Sequence, residues 1–289
     1  LSLISSFYNV LYYNYIMNLK GKNVLVTGIA SNRSISFAIA KVLKENNANV
    51  VISYQNDRLK ERVLKLADEL NIGNSYQCDL SVDQDIATLR DNIRQDYGNL
   101  DGIVHSAAFA PKDHLSGKYL DNISRDGFAL AHDISSYSFT ALAKAFKDDL
   151  NEAASLVTLS YIGSNKVVQN YNVMGVAKAS LESSVLYLAD SLGDKRIRVN
   201  AVSAGPIKTL AAAGISGFNK ILDVYQQKSA IKDNITTDDV AKVVYFLLSD
   251  YSNAITGQTI YVDNGFNIIG YWFKYSSLIS TSKDSYFEI

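Results

Sequence analysis

The chain is poor in the residues that would make it a disulfide scaffold, a metal protein or a polybasic binder. Its 289 residues include one cysteine, two prolines and three histidines. Cys78 alone cannot form an intramolecular disulfide, and a reducing, cytoplasmic setting fits that count. His105, His114 and His132 lack the spacing that brings ligands to one metal, and they read as structural. Neither sign of charge is in excess: 28 Lys and Arg against 29 Asp and Glu leave a net charge of −1. That balance gives no electrostatic reason to expect nucleic acid or an anionic membrane. Residues 1–19 carry no charge at all, so they lack the positive n-region of a signal peptide, and they are too polar for a good membrane span. Met17, shortly before Gly21-Lys22, reads as the start of the chain proper, which leaves 1–18 as an extension outside the fold.

What is present is alternation. Apolar runs of strand length sit at Asn23–Thr27, Asn49–Tyr54, Asn74–Cys78, Gly102–His105, Ala154–Leu159, Arg198–Val202 and Thr259–Val262. About six main helical patterns separate them, such as Leu59, Val63, Leu66 and Leu70 on one face. Ser81-Val-Asp-Gln84 has the form of a capping box, and Thr236-Thr-Asp-Asp239 caps another helix. A long helix is expected to run to about Asp149, and a short one over Phe218–Gln227 that forms a lid. The pattern implies an α/β fold: a single Rossmann-type, doubly wound domain over 19–270, with a seven-stranded parallel sheet covered on both faces. The tail, 271–289, shows no period. Both prolines, Pro111 and Pro206, follow strands and stiffen loops that face the ligand edge.

In such sheets ligands bind beyond the carboxyl ends of the strands. The first strand leads through Gly28-Ile-Ala-Ser-Asn-Arg-Ser34 into a helix, which is the opening unit of a dinucleotide fold. The usual Gly-x-Gly-x-x-Gly is absent, with only Gly28 kept and Ala30 and Ser34 nearby. Strand two ends at Gln55, which can both donate and accept hydrogen bonds. Arg58 and Lys60 follow it, as groups able to meet a 2′-phosphate. Asp79 either bonds an adenine edge or simply ends strand three. The small residues Ser106-Ala-Ala-Phe-Ala-Pro111 let a flat ligand approach, or pack tightly.

The stretch Thr158-Leu-Ser-Tyr161-Ile-Gly163, continued through Asn170-Tyr171-Asn-Val-Met174-Gly-Val-Ala-Lys178, carries the chemistry. Tyr171 and Lys178, seven apart, share a helix face. A cation beside a phenol favours the phenolate, so Lys178 is expected to make Tyr171 a better stabiliser of oxyanion charge. The plain alternative is a half-buried aromatic at a helix start with a solvated lysine two turns on.

These blocks together resemble the NADH-dependent enoyl-acyl carrier protein reductases of bacterial type II fatty acid synthesis, a divergent branch of the short-chain dehydrogenases. The resemblance runs from about Leu19 to Ile268 and includes Ser53-Tyr-Gln-Asn-Asp57, Ala131-His-Asp-Ile-Ser-Ser-Tyr-Ser138, Asn170-Tyr-Asn-Val-Met-Gly175 and Ala204-Gly-Pro-Ile207. Ordinary short-chain dehydrogenases have Tyr-x3-Lys; here Tyr171 plus four is Gly175, and Tyr-x6-Lys matches the enoyl reductases. The resemblance implies catalytic roles for Tyr161, Tyr171 and Lys178. It implies that Gly28, Ser34 and Ile35 approach the pyrophosphate, Gln55 the adenosine ribose, and Asp79 and Leu80 the adenine. Ala107 would line the cofactor, and Lys178 would bond the nicotinamide ribose. Ile207, Lys208, Thr209, Leu210 and Ala211 would close on the nicotinamide and phosphates. Ala110, Tyr161, Tyr171, Met174 and Phe218 would face the acyl thioester. An acyl carrier protein partner and a homotetramer are implied as well, and Gln55 favours NADH over NADPH.

Four positions depart from the pattern, one of them Asn264, where Val-Asp-Asn-Gly265 replaces the commoner Val-Asp-Gly-Gly. Ala108 stands where many members have glycine, and Ser216 and Asn219 stand where relatives often carry basic residues, leaving Lys220, Lys208 and Lys228 to meet an acidic carrier. Two rivals predict something else. A 3-oxoacyl reductase on this fold needs Ser with Tyr-x3-Lys, and a non-catalytic NAD(P)-binding sensor needs no tyrosine–lysine pair.

Overall fold

The computed structural model describes residues 19–209, 212 and 217–270. The extension 1–18, the tail 271–289, and Leu210, Ala211 and Ser216 lie outside the described residues. Seven strands, β1 (Asn23–Val26), β2 (Asn49–Tyr54), β3 (Ser75–Gln77), β4 (Leu100–His105), β5 (Leu150–Ser160), β6 (Arg198–Ala204) and β7 (Thr259–Val262), form one sheet in the order β3-β2-β1-β4-β5-β6-β7. All pairings are parallel. The chain winds outward from β1 in one direction and, starting at β4, in the other. The switch therefore falls between β1 and β4, and ligand clefts open there.

The two faces follow from the period of two along a strand. Val24, Val26, Val50, Ile52, Val104, Val157 and Val202 point into one core layer, with Ile39 and Leu43 of α1 (Ile35–Glu45) and Val240 and Val244 of α9 (Thr237–Leu248). Leu25, Val51, Ile103, Leu156 and Ala201 point into the other. There they meet Leu89 of α3 (Asp83–Tyr97), Phe139 and Phe146 of α6 (Ser138–Phe146), and Leu181 and Val185 of α7 (Asn172–Leu192). Each Val, Leu, Ile or Phe side chain taken fully from water contributes about 1.5–3 kcal/mol, and α2 (Asp57–Glu69) adds Val63 and Ala67 to the first layer.

The Thr236–Asp239 capping box is formed in full on α9. The expected box at Ser81 is not: α3 starts after Val82 without a side-chain cap. Ser81 instead gives its N–H and hydroxyl to Asp79 Oδ1, at 3.0 and 2.7 Å: the carboxylate two residues back engages the serine as a donor, whereas a cap would need its oxygen to accept from the helix N–H groups. Strand β5 also begins earlier than its apolar run, since Leu150 pairs with Leu100 across a register shift.

The long helix expected before Asp149 is broken. Short α4 (Tyr119–Asn122) and α5 (Arg125–His132) lead to a π-turn over Asp133–Tyr137 before α6 begins. Serines explain the break. Ser138 Oγ bonds back to the Ile134 carbonyl at 2.7 Å, a contact that competes with regular helix. Ser135 Oγ accepts from Phe109 N–H at 2.9 Å and donates to Phe109 O at 3.0 Å, and Ser136 meets Ser180 of α7 at 2.9 Å. The π-turn thus pins the loop after β4, as such turns often do beside functional sites.

Candidate active site

Two clefts share a wall at the carboxyl edge of the sheet. The first, about 380 Å³, runs along the ends of β1, β2 and β3 to Lys178. It brings together Gly28, Ser34, Ile35, Gln55, Asp79, Leu80, Ala107, Lys178 and Thr209. The second, about 400 Å³ and mostly apolar, brings together Ala110, Tyr161, Tyr171, Met174 and Phe218. Ile35, Ala108, Phe109, Ser160 and Thr209 line both. Ile207 sits on the second cleft, while exposed Lys208 lies beside it with Arg33 and Lys220. Leu210 and Ala211 are outside the described residues.

The first cleft fits a dinucleotide. Gly28 has φ of +80°, and a Cβ there would stand 2.2 Å from the Ser106 carbonyl oxygen, so only glycine lets β1 turn this close to the β4 loop. At the start of α1, Ser34 Oγ donates to Ser31 O rather than capping the helix, and the first turn holds no acidic residue. The positive helix end is thus open to an anion. Farther along, Gln55 Nε2 donates to Asp79 Oδ2 at 3.0 Å. Burial pushes the Asp79 carboxyl up, but hydrogen bonds from Ser81 and Gln55 outweigh it and hold the group below the ordinary value. Arg58 and Lys60 are exposed and outside this lining. Cys78 lies buried in the floor, its thiol pushed up to about 12 by burial and the nearby Asp85 and Asp79 charges.

Lys178 joins the two clefts. It is 5 % exposed, and its Nζ donates to Leu159 O at 2.7 Å, which leaves further ammonium protons for a ligand. Burial lowers its pKa to about 8, opposed by the Glu182 charge. Glu182, one turn farther on α7, accepts a hydrogen bond from Ser160. Two successive residues at the end of β5 are therefore tied to two successive turns of α7. Behind them, buried His105 bridges Thr158 at 2.9 Å and Ser138 at 2.7 Å. Burial and the Lys178 charge keep that imidazole neutral, with a pKa lowered to about 3.

Tyr171 immediately precedes α7, and its ring meets Tyr161 edge-on at 4.8 Å and 70°. Gly163 seats it: a Cβ there would lie 2.4 Å from Tyr171 Cδ1. The expected effect of Lys178 on Tyr171 is not what the structure holds. Burial, with Tyr161 and Glu182, pushes the Tyr171 phenol above its ordinary value. The ammonium is turned to the Leu159 carbonyl instead, so Tyr171 is a neutral O–H donor rather than a phenolate. Sequence reasoning missed Ser135, Ser160, Glu182 and Tyr225, whose roles depend on partners far away in the chain.

A parallel sheet whose winding reverses between β1 and β4, with a glycine turn after β1 and a lysine and two phenols beyond the strand ends, defines a doubly wound dinucleotide-binding reductase. The family model "Enoyl-(Acyl carrier protein) reductase" matches residues 28–267, and the chain belongs to that family. An NADH-dependent enoyl-[acyl-carrier-protein] reductase of Buchnera aphidicola is 51% identical over 250 residues, 86% of this chain and 96% of that protein. That of Escherichia coli is 46% identical over 250 residues, again 86% of this chain and 95% of its own. A crystal structure of the Anaplasma phagocytophilum enoyl reductase in complex with NAD has a TM-score of 0.85 and 40% identity, covering 88% of this chain and 97% of that one.

Proposed function

We propose that the chain reduces the carbon–carbon double bond of a trans-2-enoyl thioester on acyl carrier protein, with NADH, to the saturated acyl thioester of fatty acid elongation. The observation that carries this is the pair of phenols. Tyr161 and Tyr171 line an apolar cleft that shares its wall with the dinucleotide cleft, and neither donates its proton to an acceptor among the described residues.

When bound, the nicotinamide supplies the hydride. Gly28, Ser34 and Ile35 would hold the pyrophosphate, Gln55 the adenosine ribose, Asp79 and Leu80 the adenine, and Lys178 the nicotinamide ribose. Tyr171 donates a hydrogen bond to the thioester oxygen, where negative charge gathers as the β-carbon is reduced. Tyr161 orients the same thioester, and the α-carbon then takes a proton from water or through Tyr171. Met174, Ala110 and Phe218 surround the acyl chain and exclude water. Arg33, Lys208 and Lys220 beside Phe218 offer positive charge at the opening to an acidic carrier.

A homotetramer in the cytoplasm belongs to the same reading. Exposed Val176 and Tyr187 on α7, with Phe128 and Leu130 on α5, give apolar surface for subunit contact. Among the described residues no helix is long and apolar enough to cross a membrane.

Purified protein would be assayed for NADH oxidation with a crotonyl or dodecenoyl thioester, and with an acetoacetyl thioester in parallel. Turnover with the enoyl substrates alone is expected. Turnover with the ketoacyl substrate alone would overturn the proposal, and NADH binding without either reaction would favour a sensor.

A further inference from the structure

A third tyrosine stands behind the two that line the acyl cleft. Tyr225 lies on α8 (Phe218–Lys228) and is 5 % exposed. Its ring stacks on Phe266 at 3.7 Å and 13°, which fixes where its hydroxyl points. That hydroxyl donates to Tyr161 Oη at 3.2 Å. Tyr225 does not itself line the cleft, although Phe218 and Ile221 of the same helix do.

A phenol has one proton to give and lone pairs to receive with. With Tyr225 occupying the lone-pair side of Tyr161, the Tyr161 proton must turn elsewhere. No acceptor takes it among the described residues, and the cleft is the side that remains. A hydroxyl that accepts one hydrogen bond also becomes a stronger donor of the next. Burial, together with Tyr161, pushes the Tyr225 phenol above its ordinary value, so it keeps its proton at every neutral pH.

We propose that Tyr225 is a positioning residue for the reduction: it aims the Tyr161 proton into the acyl cleft, at the thioester oxygen, and does so while α8 is seated against Phe266. The inference rests on the enoyl-thioester reading above. It gives the helix beside the cleft a second task, because the position of α8 then decides whether Tyr161 can donate.

Y225F keeps the ring and its stack and removes only the hydroxyl. Steady-state kinetics would be run on wild type, Y225F, Y161F and the double variant, with an enoyl thioester and NADH varied in turn. The expected result is a loss of about five- to tenfold in kcat/KM for the enoyl thioester in Y225F, the scale of one hydrogen bond. An unchanged KM for NADH would mark the variant as folded. In the Y161F background the same change should cost nothing, which a merely structural role for Tyr225 would not produce. Wild-type kinetics in Y225F, or an equal further loss when it is added to Y161F, would overturn the inference alone. A wild type that reduces no enoyl thioester would remove the underlying reading and the inference with it.

Discussion

The two clefts are built on opposite principles. In the dinucleotide cleft the polar groups are already engaged with one another: Gln55 holds Asp79, and Ser81 holds it from the other side. In the acyl cleft two phenols keep their protons unspent within an apolar lining. The first arrangement is set before any ligand arrives. The second stores its capacity in groups that are satisfied only as charge develops, which is where an interaction accelerates a reaction rather than merely tightening binding.

On that contrast, Tyr171→Phe should strike kcat, by about 10²–10³-fold, the cost of removing one donor to a developing oxyanion. KM for NADH should stay as it is, and equal damage to both constants would erase the distinction. Gly163→Ala comes next. Its new methyl would meet the Tyr171 ring at 2.4 Å, and a displaced donor should lose about 10- to 100-fold in turnover while NADH still binds, measured by fluorescence titration. Asp79→Asn tests the other cleft: KM for NADH should rise about tenfold, the scale of a lost hydrogen bond to a charged group, with kcat unchanged. The smallest effect concerns Lys178, which bridges the two. Its ammonium form dominates below about pH 8 and is lost as pH rises through that value, so an activity that uses the charged form should fall on the alkaline side there. Glu182 opposes the downward shift, and Glu182→Gln should move the alkaline limb lower by about a unit or less; a limb that stays put would exclude this pairing.

The sequence was most readable where a period or a local spacing carries the information. Strand alternation placed all seven strands, and the seven-residue spacing set Tyr171, just before α7, about two turns from Lys178 within it. The helix cap at Thr236–Asp239 was legible for the same reason, since its partners lie within four residues. The capping box expected at Ser81 did not form, because Asp79 engages the same serine. Glu182 sits four residues beyond Lys178 in plain view, yet its meaning depends on Ser160, which only the packing of β5 against α7 supplies. Tyr225 needs Tyr161 and Phe266, and the π-turn needs Phe109, each brought in from another part of the chain. Tertiary partners of this kind leave no local signature.

The paired hydrogen bonds between Ser135 and the Phe109 backbone have a further consequence. Phe109 belongs to the partition that the two clefts share, and the serine holds both polar groups of that peptide segment at once. A partition clamped in this way stores little coupling free energy, so occupancy on one side should leave affinity on the other nearly unchanged. Ser135→Ala should release that independence, seen as a cofactor affinity that varies with bound acyl thioester, and a wild type already showing such cooperativity would contradict it.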